Sequence, residues 1–443
     1  MPAWAGVGLV LVALGGVLAS LQTYQRRCAP PPERVRKLLH VLMGLVTLSF
    51  PWLFDAAAPV LVLAGLAVVG LIGLRVFTTL RAGIGAVVHA VDRESLGEIY
   101  FPVAVALLFV LAKGDPILFG VPILILTLAD ALAALIGMRY GQVRYTTGEG
   151  EKSAEGSIAF FLVAFLSVHV PLLLFTETGR AETLLIAAIL GVLLAQFEAI
   201  AWRGLDNLFV PLGAFVLLKV YLTFDVASLG ARLVVAAALV AFTLAWRRRT
   251  TLNDGGALAA ALVGYVCWSV GGWPWLLPPL VVFLSYTLYA VRAPADLARA
   301  HDPRVVLSVS AAGLLWLFLA KALAWGELHF VFTLSFAAQL AMAGLADLTE
   351  AWPAMRSRRA ILLCGVTAWL FLIVPWVVYA GFDSSHVVPG TLALPTIVAA
   401  AFALWVLEPT IRGAKGDGWR WARQALIGFA ASLLGLFSLQ VTA

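Results

Sequence analysis

Charge is scarce in this chain. Its 443 residues include 30 Lys plus Arg and 24 Asp plus Glu, 12% in all, about half the roughly 25% of an ordinary soluble domain. Apolar residues make up 62%, and a fold in water could not hide that much apolar surface. A soluble globular protein is therefore excluded, and so is a disordered chain. Cysteine is nearly missing. Cys28, Cys267 and Cys364 are too few and too far apart for a disulfide framework or a metal cluster. The N-terminal apolar stretch lacks a basic region before it, so it reads as a first membrane helix rather than a cleaved signal peptide. No convincing internal repeat and no low-complexity linker are present.

What is present is a series of apolar runs near 20 residues, from about Trp4 to the run that begins near Gln424. Hydropathy and punctuation predict an all-α, polytopic transmembrane bundle of about 16 helices. The net charge of +6 does not indicate nucleic acid, because the basic residues sit in short clusters between apolar runs. With an outside N-terminus and alternating connections, 25 of the 30 basic residues fall inside. Lys113, Arg180, Lys219, Arg232 and Lys321 are the other five. That asymmetry predicts an even number of spans with both termini outside. The chain divides into two halves, 1–246 and 250–443, at the Arg247-Arg248-Arg249 cluster.

Ionisable residues in or beside membrane helices are the candidates for function, because burying them in hydrocarbon is costly. Four stretches stand out, all on the predicted inner face. In the first, Asp130 lies in an apolar helix that ends at Arg139-Tyr140-Gly141. A polar loop follows with Arg144, Glu149, Glu151, Lys152, Ser153 and Glu155, and Gly156 leads into the next helix. Basic side chains, a hydroxyl and a helix N-terminus suit a polyphosphate, and Asp130 or Glu155 suits Mg²⁺. The loop is not a P-loop, since the Gly-Lys-Ser/Thr ending is missing. The second stretch runs from Glu198 to Pro211. Its Asp206 could ligate metal, accept a proton or cap a helix, and its Asn207 could bond a phosphate, base or sugar. The third places Arg36, His40 and Gly44 on one helix face. The fourth, Asp92 to Pro102, is a charged approach to a helix. Each also has a plainer reading as a packing ion pair, an orientation signal or a solvated loop.

Taken together, residues Arg34 to Phe224 resemble the integral-membrane polyprenol kinase family, which includes phytol kinase and dolichol kinase and is related to phosphatidate cytidylyltransferase. The resemblance rests on Asp130 to Gly137 with Arg139-Tyr140-Gly141, on Lys152-Ser153-Ala154-Glu155-Gly156-Ser157, and on Asp206-Asn207-Leu208 with Pro211. It implies phosphoryl transfer from a nucleoside triphosphate, CTP or ATP, to a long-chain isoprenoid alcohol in the bilayer, and the basic asymmetry puts that site on the cytoplasmic face. It further implies Mg²⁺ on Asp130 and Glu155, phosphate on Lys152, Ser153, Arg139 and the Gly156 helix start, and Asp206 as base or second metal ligand beside Asn207. Two alternatives remain at this point: a cytidylyltransferase making a CDP-activated lipid, and a transporter. The second half, with Gly255-Gly256 and Gly271-Gly272, resembles a membrane family that includes phytyl-phosphate kinase. Its acidic stretch, with Asp347 and Glu350 as candidates, lacks the Ser and Gly of that family's motif. It is therefore expected to be either a second kinase or a degenerate half.

Overall fold

The computed structural model describes residues 3–76, 95–147, 150–290, 301–351, 357–409 and 419–440. The chain forms two compact units, Met1–Ala237 and Ala238–Ala443. Sixteen helices of two turns or more occur among the described residues. Twelve of them are long and apolar enough to cross a membrane.

The first unit holds α1 (Ala3–Cys28), α2 (Pro32–Leu48), α3 (Ala57–Val76), α4 (Gly97–Ala112) and α5 (Pro116–Tyr140). A β-hairpin follows, β1 (Arg144–Thr147) and β2 (Gly150–Ser153), and then α6 (Ala154–Phe175), α7 (Arg180–Ile200) and α8 (Asp206–Tyr221). Helix α9 (Val226–Trp246) contains the division between the units. The starts of these helices follow local chemistry. Asp115 accepts hydrogen bonds from the N–H groups of Ile117 and Leu118, with Pro116 in the first turn of α5, which satisfies donors that have no helical partner. Ser153 caps α6 by accepting from the Gly156 N–H. The core packs Phe50, Phe101, Leu108, Phe119, Leu126 and Phe215. Outward faces are also apolar, as Leu66, Val69, Leu166 and Leu174 show. That is the arrangement of a bundle with lipid as solvent.

The second unit holds α10 (Asp254–Gly271), α11 (Trp273–Ala290), α12 (Pro303–Leu323), α13 (Leu328–Ala351), α14 (Ser357–Ala380), α15 (Ser384–Leu407) and α16 (Arg420–Gln440). Helix α13 is its axis: 94% of its apolar window is buried. Phe330, Phe332, Phe336, Leu340 and Leu345 of α13 form the centre of the core. A small apolar cleft lies within this unit, lined in part by Phe242, Val263, Leu276, Val309 and Phe336.

One local feature differs from the sequence reading. The polar loop after α5 is an antiparallel hairpin with Tyr145 opposite Lys152, because Tyr and Thr favour extended backbone and Gly150 supplies a positive φ of 128° at the turn. Gly141 stands at the end of α5, as expected, with an extended φ of −66°. It is small for steric reasons: a Cβ there would lie 2.3 Å from the Gly137 carbonyl oxygen and 2.7 Å from Ser153 Cβ.

Candidate functional site

Short helices build the site. Helices α2, α4 and α8 have 17, 16 and 16 residues and fall outside the twelve candidate spans. At about 1.5 Å per residue they reach roughly 24–26 Å, less than the roughly 30 Å hydrocarbon core. Each bears polar residues near its N-terminal end: Arg36 and Lys37 on α2, Glu98 on α4, Asp206 and Asn207 on α8.

Asp130 follows directly on a π-helical turn, Ile125–Ala129, within α5. Such turns recur at functional sites. Lys37 Nζ donates to Asp130 Oδ2 at 2.7 Å, and His40 Nε2 lies 2.9 Å from the Leu126 carbonyl oxygen and 3.7 Å from Asp130 Oδ2. Gly44 completes the contact, since a Cβ there would lie 2.0 Å from Thr127 Oγ1. The face of α2 that meets α5 is therefore Lys37, His40 and Gly44. Arg36 is turned one position away and pairs with Glu33, at 2.9 Å through Nε. At about 100° per residue the spacing i, i+3, i+7 returns closer to one line than i, i+4, i+8.

Lys152 projects from β2 to the end of α7, where Nζ donates to Glu198 Oε1 at 2.6 Å and to the Glu198 backbone carbonyl. Burial alone would push this ammonium down, but the Glu198 carboxylate outweighs burial and holds Lys152 above the usual lysine value. The ammonium is therefore charged at neutral pH. Asp206 lies within electrostatic reach of both Lys152 and Arg36. It occupies the first turn of α8, and the residue before the helix, Leu205, makes no side-chain cap. Its carboxylate is thus not spent as an N-cap.

The turn before α8 is held by α4. The Leu96 N–H donates to the Arg203 carbonyl at 3.0 Å, and Arg203 and Gly204 both have positive φ, 51° and 80°. A Cβ on Gly97 would lie 2.5 Å from Asn207 Nδ2, so glycine there makes room for the Asn207 amide. The second and fourth stretches of the sequence thus form one corner. Of the fourth stretch, residues 92–94 lie outside the described residues.

Asp130, Lys152 and the neighbours Asp206 and Asn207 come from three elements, α5, β2 and α8. Arg36 is within electrostatic reach of Asp130 and Asp206, Lys152 is within reach of Asp206, and the partners Lys37 and Glu198 complete one buried and one partly exposed ion pair. The other candidates sit differently. Arg139 is exposed and lies over its neighbour Tyr140, 5.2 Å from the ring centre. Ser153 and Gly156 form a tight joint with Gly137, whose Cβ would lie 2.9 Å from Ser153 Oγ. Glu155 Oε1 accepts from the Val143 N–H at 3.1 Å, while its Oε2 is buried without a hydrogen-bond partner. Asp347 belongs to the second unit, half-buried near Cys364. The Glu350 side chain and Glu149 lie outside the described residues. Sequence reasoning gave no role to Lys37 or Glu198. Their signal was that each is an ionisable residue in or beside an apolar helix. In the second unit it also passed over the fully buried Glu408, paired with Arg423 at 2.6 Å, and Gln424, bonded to Gln339 at 2.9 Å.

No group of three or more His, Cys, Asp or Glu side chains that could hold a metal occurs among the described residues. Mg²⁺ brought by a nucleotide takes one or two protein carboxylates and fills its shell with phosphate oxygens and water. The orphaned Glu155 Oε2 and the carboxylates of Asp130 and Asp206 are of the required hard-oxygen type.

The fold is that of a polytopic integral-membrane helical bundle whose first unit carries the ion pairs Lys37–Asp130 and Lys152–Glu198. Comparison with known proteins makes this more specific. The chain is 32% identical to the phytol kinase of Synechocystis sp. over 216 residues, which are 48% of this chain and 90% of that relative. It therefore belongs to the phytol kinase family. No family model matches the chain, and no solved structure matches it.

Proposed function

We propose that this protein is a lipid-alcohol kinase. Its first unit transfers a phosphoryl group from a nucleoside triphosphate, CTP or else ATP, to the hydroxyl of a long-chain isoprenoid alcohol such as phytol. What supports this reading is that the chain belongs to the phytol kinase family and that Asp206 lies within electrostatic reach of both Lys152 and Arg36, with Asp130 in reach of Arg36.

Phosphoryl transfer asks little covalent chemistry of a protein and much positioning and charge. Lys152 supplies a charged donor to the phosphate, with Arg36 and the exposed Arg139 as further cations. Lys37 fixes Asp130 from behind. Mg²⁺ would be held by Asp130 and Glu155, where it would offset phosphate charge. Asp206 takes the proton of the alcohol hydroxyl, or shares the metal, and Asn207 orients the hydroxyl. An alcohol arriving from lipid would meet the polar N-terminal ends of the short helices α2, α4 and α8. The second unit would carry a separate role, a second phosphorylation at Asp347 and Glu350 or substrate binding.

The test is the purified full chain in nanodiscs with labelled CTP or ATP, Mg²⁺ and a panel of lipid alcohols. Lipid monophosphate is the expected product, and Asp130→Asn should abolish it. A CDP-lipid product, or no transfer to any alcohol, would reject the reading.

A further inference from the structure

The two ion pairs of the site differ in accessibility. The Lys37 and Asp130 side chains keep 4% and 13% of their exposure, whereas Lys152 and Glu198 keep 28% and 13%. The inner pair is shut off by α2 and α5, and the outer pair can be reached from solution. Lys152 is also held twice by one residue, through the carboxylate and through the backbone carbonyl of Glu198. That carbonyl lies in the last turn of α7, where carbonyls lack helical partners and the helix dipole is negative. It can retain the ammonium after the carboxylate has left.

Charge points the same way. The cations Arg36, Lys37 and Lys152 face the anions Glu33, Asp130, Glu198 and Asp206. This set has no surplus positive charge for a nucleoside triphosphate, which stays anionic even with its metal. Displacing one carboxylate takes this set from one surplus negative charge to neutrality, and Glu198 is the carboxylate on the reachable pair.

We propose that Glu198 is an internal competitor for the nucleotide. Without nucleotide its carboxylate stands on Lys152 where a phosphate oxygen stands in the complex, and binding exchanges one anion for the other. This rests on Lys152 being a phosphate ligand. The carboxylate keeps a partly exposed ammonium paired and charged while the site is empty, and it sets the nucleotide affinity below what the cations alone would give.

Glu198→Gln removes the charge and keeps the shape. Equilibrium binding of labelled CTP and ATP with Mg²⁺ to the full chain in nanodiscs reads the effect. The Kd of the preferred nucleotide should fall about threefold or more, the scale of a partly exposed ion pair. KM for the nucleotide should fall with it, and kcat should change less. Lys152→Met should lose binding. If Lys152→Met binds as the parent does, the phosphate role of Lys152 fails and the competitor with it. If Lys152→Met loses binding while Glu198→Gln binds equally or more weakly, the competitor alone is overturned and Glu198 is a fixed support for Lys152. If Glu198→Gln does not fold, Glu198→Asp replaces it, with a shortened reach and a smaller fall in Kd expected. An unchanged or raised Kd there overturns the proposal.

Discussion

Lys37 and Asp130 are 93 positions apart in the chain, yet Nζ and Oδ2 meet at 2.7 Å in a pocket almost closed to solvent. The pair joins α2 to α5 next to the π-helical turn. It is an aiming device for the carboxylate as well as a source of cohesion. Truncating one member of a buried pair strands the other, at a cost of about 3–5 kcal/mol.

Lys37→Met should therefore lower the thermal stability of the detergent-solubilised protein strongly. The double variant Lys37→Met with Asp130→Asn should recover part of the loss, because no charge is left unpaired. Melting of all four proteins in the cycle checks this. A double variant less stable than Lys37→Met would show that the pair is not the cause.

Asp206→Asn should lower kcat by about 100-fold or more if the carboxylate accepts the alcohol proton, with nucleotide KM little changed. A steeply raised Mg²⁺ requirement instead would place Asp206 on the metal. Steady-state kinetics across a Mg²⁺ titration separates the two. Unaltered kinetics would remove Asp206 from the site.

Gly141→Ala should destabilise the first unit by about 1–3 kcal/mol, the usual range for overpacking. The added Cβ meets backbone oxygen and Ser153 Cβ rather than a flexible side-chain tip. Activity should fall with it, because the same joint sets the hairpin that presents Lys152. Protease resistance and turnover measured together check this, and full activity with full stability would contradict it.

A pH effect is expected from His301 in the second unit. Burial, and then the Arg420 charge, push its imidazole from the usual 6.5 down to about 4, with Asp302 opposing. Its ring Nδ1 lies 2.9 Å from Thr251 Oγ1, and the ring packs edge-on to Trp421. Between pH 6.5 and 4 the unfolded chain binds a proton that the folded one does not. Stability from this residue is thus complete above 6.5 and is lost as pH falls toward 4. His301→Asn should melt with a shallower dependence over that window than the parent. Equal slopes would exclude the residue as a contributor.

The helices were legible in the sequence because lipid imposes one rule on every span, that backbone groups bond within the segment and side chains be apolar. The apolar runs predict about 16 helices, and sixteen of two turns or more occur among the described residues. The candidate stretches were legible as charged segments as well, because charge in an apolar setting is conspicuous. Tertiary structure decided which charges meet. Lys37 and Arg36 are neighbours in sequence, but helix rotation sends one to Asp130 and the other to Glu33. Lys152 and Ser153 are adjacent too, yet one reaches Glu198 while the other caps a helix among glycines. Ion pairing depends on direction and separation in space, which composition and periodicity along one segment do not contain. The apolar pattern determined that this chain is a bundle in lipid, and the packing of α2, α5, α7 and α8 determined where its charges stand.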